Sequence, residues 1–147
     1  MPEHTSSVLF WDRIISNLPG THFLQSWEWG QIKSKYGWQP FYVLWRGENT
    51  PQVLDESGLA KLANSNFSIS NLDIKAAALI LTRTSPIVGL ITSLKVLYAP
   101  KGPLLDWNDV PLSNRVLKDL QIIARQQKGI FLKIDPDVRV GSGIPGS

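Results

Sequence analysis

Residues 93–136 read SLKVLYAPKGPLLDWNDVPLSNRVLKDLQIIARQQKGIFLKIDP. Side chains alternate over Ser93–Ala99, with Leu94, Val96 and Tyr98 on one face and Lys95, Leu97 and Ala99 on the other, which marks a strand. Pro100-Lys101-Gly102-Pro103 is expected to end it. Asp109 with Pro111, or else Ser113, then opens the longest helix, whose buried stripe is Val116, Leu117, Leu120, Ile123 and Ala124. Lys128 suits the negative end of that helix and Gly129 is expected to close it. Ile130–Asp135 returns as a strand, with Ile130, Leu132 and Ile134 facing one way, and Pro136 ends the pairing. A strand–helix–strand crossover of this kind demands a parallel pair.

Upstream, Ala76–Thr82 is nearly all apolar, as expected of a central strand covered on both faces. Pro86 and Gly89 interrupt the chain after it. Phe41–Arg46 is rich in aromatic and branched residues and reads as another strand. Between them lies a polar stretch, 47–73, read as a mobile insertion at a hairpin tip with a short helix near 55–63. Two helices lead the chain. Ser6 or Ser7 is expected to cap the first, with Trp11, Ile14, Ile15 and Leu18 as its apolar stripe and Pro19-Gly20 as its stop. Ser26 caps the second, where Trp29, Ile32 and Tyr36 share a face and Gly37 follows the last turn. The order α, α, β, insertion, β, β, α, β implies a single mixed α/β (α+β) domain: helices on a twisted mixed sheet whose earlier strands form a meander.

The chain has 147 residues, with 15 Lys plus Arg against 12 Asp plus Glu and a net charge of +3, a weak lean toward anionic partners. The absence of Cys excludes disulfide scaffolds, thiol catalysis and Cys-ligated zinc. With only His4 and His22, no metal site is expected. No apolar run approaches the roughly 20 residues that cross a bilayer, and the polar N-terminus is no secretory signal, so the chain reads as cytoplasmic. Six Trp are present, five of them in the first 45 residues, as bulk for a core or as the lining of a cleft.

Candidate chemistry is confined to a few segments. Gly141-Ser-Gly-Ile-Pro-Gly146 has the letters of a dinucleotide fingerprint but no following helix to hold a pyrophosphate, and it reads as a tail. His22 reads as a solvated or capping histidine. In Gln25–Lys33, Lys33 stands one turn from Trp29, either solvated along the ring or as a phosphate clamp. In Tyr98–Asp106, a rigid turn offers a cation at Lys101 and an acid at Asp106, and Gly102 permits a close approach; capping of the next helix by Asp106 or Asp109 is the alternative. In Ile130–Pro136, Lys133 and Asp135 project from one face, as a salt bridge or a site.

Together and in this order, Gln25-Ser26, Trp29, Lys33 and Gly37-Trp38, then Tyr98, Pro100, Lys101, Gly102, Pro103 and Asp106, then Phe131–Pro136, resemble the Fem family of aminoacyl transferases (FemA, FemB and FemX types). The resemblance covers about residues 8–146, with 47–73 poorly matched. It implies a GNAT-like domain of acyl-CoA N-acyltransferase type, here an incomplete N-terminal portion with the family's second domain absent and an open sheet edge. It implies an aminoacyltransferase of cell-wall biogenesis. Such an enzyme moves an amino acid from aminoacyl-tRNA, the co-substrate, to the side-chain amine of a peptidoglycan precursor, with no further cofactor. The partners implied are a UDP-muramyl pentapeptide or its lipid-linked form, the latter with peripheral membrane contact, and aminoacyl-tRNA bound mainly through the missing part. By resemblance, Lys33 contacts the precursor's phosphates, Tyr98, Lys101 and Gly102 line the substrate site, and Asp106 touches the peptide stem or deprotonates the attacking amine. Two alternatives remain open: a non-catalytic module that binds the precursor, and a divergent GNAT-type N-acyltransferase. The latter would need a glycine-rich pyrophosphate loop between strand and helix, and none is present.

Overall fold

The computed structural model describes residues 2–65, 69–86 and 93–138. Helix α1 (Pro2–Ser16) starts earlier than the expected cap at Ser6 or Ser7, because a proline fits a first helical turn that needs no N–H from it. Trp11, Ile14, Ile15 and Leu18 are all buried, as the spacing predicts. A 3-10 turn (Phe23–Gln25) leads into α2 (Trp27–Ser34), and the Ser26 hydroxyl caps α2 by accepting the Trp29 N–H at 3.2 Å. His22 is a cap too: its Nδ1 accepts the Leu24 N–H at 3.1 Å. The residues of α2 buried most deeply are Trp27 and Gly30; Trp29 and Ile32 are half-buried and Tyr36 is 69% exposed. Gly30 is what lets α2 lie on the sheet, since a Cβ there would meet the Tyr42 hydroxyl at 3.3 Å and Pro40 at 3.4 Å.

Strands β1 (Gln39–Arg46), β2 (Gln52–Leu54), β3 (Ile74–Pro86), β4 (Ser93–Ala99), β5 (Leu104–Leu105) and β6 (Phe131–Ile134) form one mixed sheet in the order β2-β1-β3-β4-β6, with β5 also on β3. The first strands are not a simple meander: β2 folds back outside β1, and the chain then crosses to place β3 on the other edge of β1. Only β6 is parallel, pairing Val96 with Phe131 and Tyr98 with Lys133, as the crossover through α4 (Val110–Gln126) demands. Asp109 caps α4 by accepting the Leu112 N–H at 3.2 Å. The left-handed residue after α4 is Lys128 (φ 58°), not Gly129. Gly129 is fixed by packing instead, because a Cβ on it would sit 2.1 Å from Leu97 Cδ1.

The two faces of the sheet carry separate cores. One holds Tyr42, Leu44, Leu79 and Leu81 under α1, α2 and α3 (Glu56–Ala63). The other holds Val43, Trp45, Ile80 and Leu97 under Val116, Leu120 and Ile123 of α4. Each fully buried side chain of this size contributes about 1.5–3 kcal/mol. Three of the tryptophans, Trp11, Trp27 and Trp45, are core, while Trp29, Trp38 and Trp107 are half-buried at its margins. The polar stretch 47–73 is part of this architecture rather than a mobile tip. It supplies β2 and α3, and Leu59 and Leu72 anchor it with almost no exposure. The glycine-rich segment 141–146 and Gly89 lie outside the described residues.

Candidate functional site

The segment Pro100–Pro103 interrupts a strand rather than ending one. Strand β4 pairs with β3 up to Tyr98 opposite Leu81, and β5 resumes on the same strand with Leu104 opposite Ala77. Five residues, 99–103, therefore face three, 78–80, and the surplus bulges out of the ladder. The bulge leaves Leu79 without a strand partner on that side. The Gln25 side chain replaces it. Its Oε1 accepts the Leu79 N–H at 2.7 Å, and its Nε2 donates to the carbonyls of Leu79 at 3.1 Å and Pro100 at 2.7 Å. Gln25 is fully buried, and its own carbonyl accepts Trp11 Nε1–H at 2.8 Å. Gly102 is buried against it, and a Cβ there would meet the Gln25 amide at 2.7–2.8 Å.

On the far side of the bulge, Asp135 at the end of β6 accepts two hydrogen bonds. Lys101 N–H donates at 2.5 Å and the Tyr98 hydroxyl at 3.0 Å. Lys101 holds the left-handed conformation, φ 57°. Burial, and then the Asp135 carboxylate that it faces, raise the Tyr98 phenol above its ordinary pKa. Lys133, opposite Tyr98 in the parallel pair, lays its ammonium 5.2 Å from the Tyr98 ring centre instead of pairing with Asp135.

Register extends this cluster into a surface. Arg83 is opposite Val96, and Val96 is opposite Phe131; Leu81, Tyr98 and Lys133 form the next row. Leu81 belongs to the core under α1 and α2, so alternation puts both rows on that face. Here, however, Arg83, Phe131 and Lys133 are exposed. The Arg83 guanidinium lies 5.6 Å from the Trp38 ring centre. Along one flank of α2, Gln31 reaches Glu56 of α3 at 2.8 Å. Trp29 and Lys33 are each two residues from Gln31, about 200° around the helix, so they occupy the opposite flank. The Lys33 ammonium is 5.1 Å from the Trp29 ring centre, and Phe23 meets Trp29 edge-on. Among the described residues none of Lys33, Arg83, Lys101 and Lys133 is in an ion pair. An open sheet face rimmed by cations on aromatic rings can hold an anion attached to a larger body.

A model of the FemAB family matches residues 10–142. The chain belongs to the FemAB family. The crystal structure of FemX superposes with a TM-score of 0.60 at 21% identity, over 88% of this chain and 26% of that one. The chain thus spans about a quarter of the FemX structure it matches. A tetramutant of BH1408 protein from Bacillus halodurans, 10% identical over 95% of this chain and 79% of that one, reaches a TM-score of only 0.37. Among curated proteins no match is found.

Of the residues singled out in this FemAB chain, Tyr98 and Lys101 lie at the open face, and Lys33 stands over Trp29 on the flank of α2 opposite Gln31. Gly102 does not: the close approach it permits is that of Gln25, not of a ligand. Asp106 stands apart. It is exposed, and its carboxylate accepts the Asn108 N–H at 3.0 Å in the turn before α4. Tyr98 and Leu105 are opposite Leu81 and Ala76, so on the order of 17 Å of sheet separates the Tyr98 row from the Asp106 turn. Sequence reasoning missed Gln25 and Arg83 as members of the site and left Asp135 open between a salt bridge with Lys133 and a site; it binds Lys101 N–H and Tyr98 instead. A glutamine before a helix cap and a glycine between two prolines were the only local signals. Among the described residues no helix is long and apolar enough to cross a membrane, and no His, Cys, Asp and Glu cluster could hold a metal.

Proposed function

We propose that this chain is the precursor-binding part of an aminoacyltransferase of peptidoglycan bridge formation, with a GNAT-like first domain. Its substrate is the peptidoglycan precursor, as the UDP-muramyl pentapeptide or its lipid-linked form, and the amino acid comes from aminoacyl-tRNA. What supports the reading is the FemAB match over 10–142 together with the cation-rimmed open face. Lys33 holds the diphosphate, and Lys101 and Tyr98 line the path of the muramyl peptide. A five-residue peptide spans about 17 Å when extended. One end can therefore rest beside Lys33 and Tyr98 while its amine reaches Asp106. Asp106 accepts the proton that an ammonium must lose before it attacks. The amine nitrogen then bonds to the ester carbonyl carbon, the bond to the tRNA oxygen breaks, and that oxygen takes up a proton. In this reading the tRNA contacts belong to the part of the FemX chain that this one does not span.

Calorimetric titration with UDP-muramyl pentapeptide tests the assignment. Lys33→Ala should weaken binding roughly tenfold or more, as loss of a charge-assisted contact to phosphate does. A folded chain that takes up no precursor, or a Lys33→Ala variant that binds as well as the parent, would sink it.

A further inference from the structure

We infer that Gln25 is a positioning residue for this site: its amide stands in for an absent strand residue and, with Asp135, clamps the peptide unit that aims Lys101 and Tyr98. The clamp is visible atom by atom. The Pro100 carbonyl and the Lys101 N–H belong to one peptide group. Gln25 Nε2 donates to the first at 2.7 Å, and Asp135 Oδ1 accepts from the second at 2.5 Å. A peptide group held at both ends cannot rotate about its flanking bonds, so the left-handed conformation of Lys101 is imposed from outside.

Gln25 is itself rigid. Its N–H donates to the His22 carbonyl at 2.8 Å, its carbonyl accepts Trp11 Nε1–H, and its side chain spans to Leu79. Gly102 leaves room for the amide and for nothing larger. The same Asp135 carboxylate takes the Tyr98 hydroxyl, so a shift of the 100–101 peptide is felt at Tyr98. The inference rests on the reading of Lys101 and Tyr98 as substrate contacts; the clamp itself does not.

The test compares Gln25→Met, which keeps the length but loses every side-chain hydrogen bond, with Gln25→Glu in the full chain. A buried carboxyl is held protonated. Gln25→Glu therefore keeps an acceptor for Leu79 N–H and a donor for the Pro100 carbonyl. The readouts are the Lys101 amide resonance, its exchange rate, and titration with UDP-muramyl pentapeptide. In Gln25→Met the Lys101 amide should shift and exchange on the order of tenfold faster, and affinity should fall by a similar factor, as loss of one charge-assisted contact does. The amides of α4 should not respond. Gln25→Glu should restore both.

An unmoved Lys101 amide in Gln25→Met, or a Gln25→Glu variant that behaves like it, overturns the inference. If Gln25→Met fails to fold, Gly102→Ala pushes on the same amide from the other side, and the same Lys101 readout decides. A parent chain that binds no precursor while Lys101 responds as described supports the clamp and overturns the functional reading.

Discussion

The β1–β3 half of the sheet and the β4–β6 half are built to different standards. From Phe41 to Trp45 and from Ala76 to Leu81 every residue is buried, because helices cover both faces. One register step away, among the described residues, only α4 covers the sheet. Leu97, Leu132 and Ile134 pack beneath it, while Phe131 and Lys133 on the other face are exposed. The first half stores apolar contact; the second half leaves polar and aromatic groups open to solvent and holds its backbone with side-chain hydrogen bonds. Gln25 marks the border, since it caps the last fully covered strand and grips the bulge of the next.

The largest expected effect lies in the covered half. Trp11 is fully buried, its ring meets Tyr42 edge-on at 4.8 Å, and its Nε1–H bonds the Gln25 carbonyl. Trp11→Ala should cost about 3–5 kcal/mol, read as a fall in the denaturant midpoint, because the cavity sits between packed helices and cannot collapse. A loss below about 1 kcal/mol would mean that this half is looser than its burial indicates.

Legibility in the sequence did not follow this division. Period-two and period-3.6 patterns report burial directly, so Ser93–Ala99 and the α4 stripe through Val116, Leu120 and Ile123 were readable, as was the parallel pair that follows from them. Stretch 47–73 was obscured because two anchors, Leu59 and Leu72, lie among polar residues that carry no period. The bulge and its clamp were not readable for a different reason. Gln25 bonds groups 54 and 75 residues away, and a side chain bonding a distant backbone leaves no periodic trace. Lys33, Tyr98 and Lys101 could be named as candidates by type and setting. The relation of Tyr98 and Lys101 through Asp135 needed the fold.

A smaller effect is expected at Asp135, which holds the open half together. The Tyr98 phenol is raised by burial and then by the Asp135 carboxylate. A folded-state pKa above the unfolded one means that the folded chain keeps the proton longer. This contribution to stability is full below about pH 10, the unfolded value, and is lost as pH rises through the folded one. Asp135→Asn keeps an acceptor for the hydroxyl but removes the charge that opposes phenolate formation. In an ultraviolet titration of the folded variant, phenolate should therefore appear at lower pH than in the parent. Coincident curves would mean that burial alone raises Tyr98, and that the carboxylate serves only the Lys101 N–H.

The smallest effect on stability is expected at Phe131, and there the contrast between the halves is sharpest. Phe131 is 53% exposed beside Val96 on the uncovered face. Folding removes little of its surface from water, so Phe131→Ser should change stability by no more than about 0.5 kcal/mol. A large aromatic left in solvent between cations adds little to the fold, but it offers flat apolar area to a ligand whose anion those cations hold. In the titration with UDP-muramyl pentapeptide, Phe131→Ser should weaken binding roughly threefold to tenfold, the scale of one aromatic contact. Stability and affinity thus separate at this residue, whereas at Trp11 the expected loss is of stability. A variant that lost stability but bound normally would put Phe131 with the core and move the ligand face elsewhere.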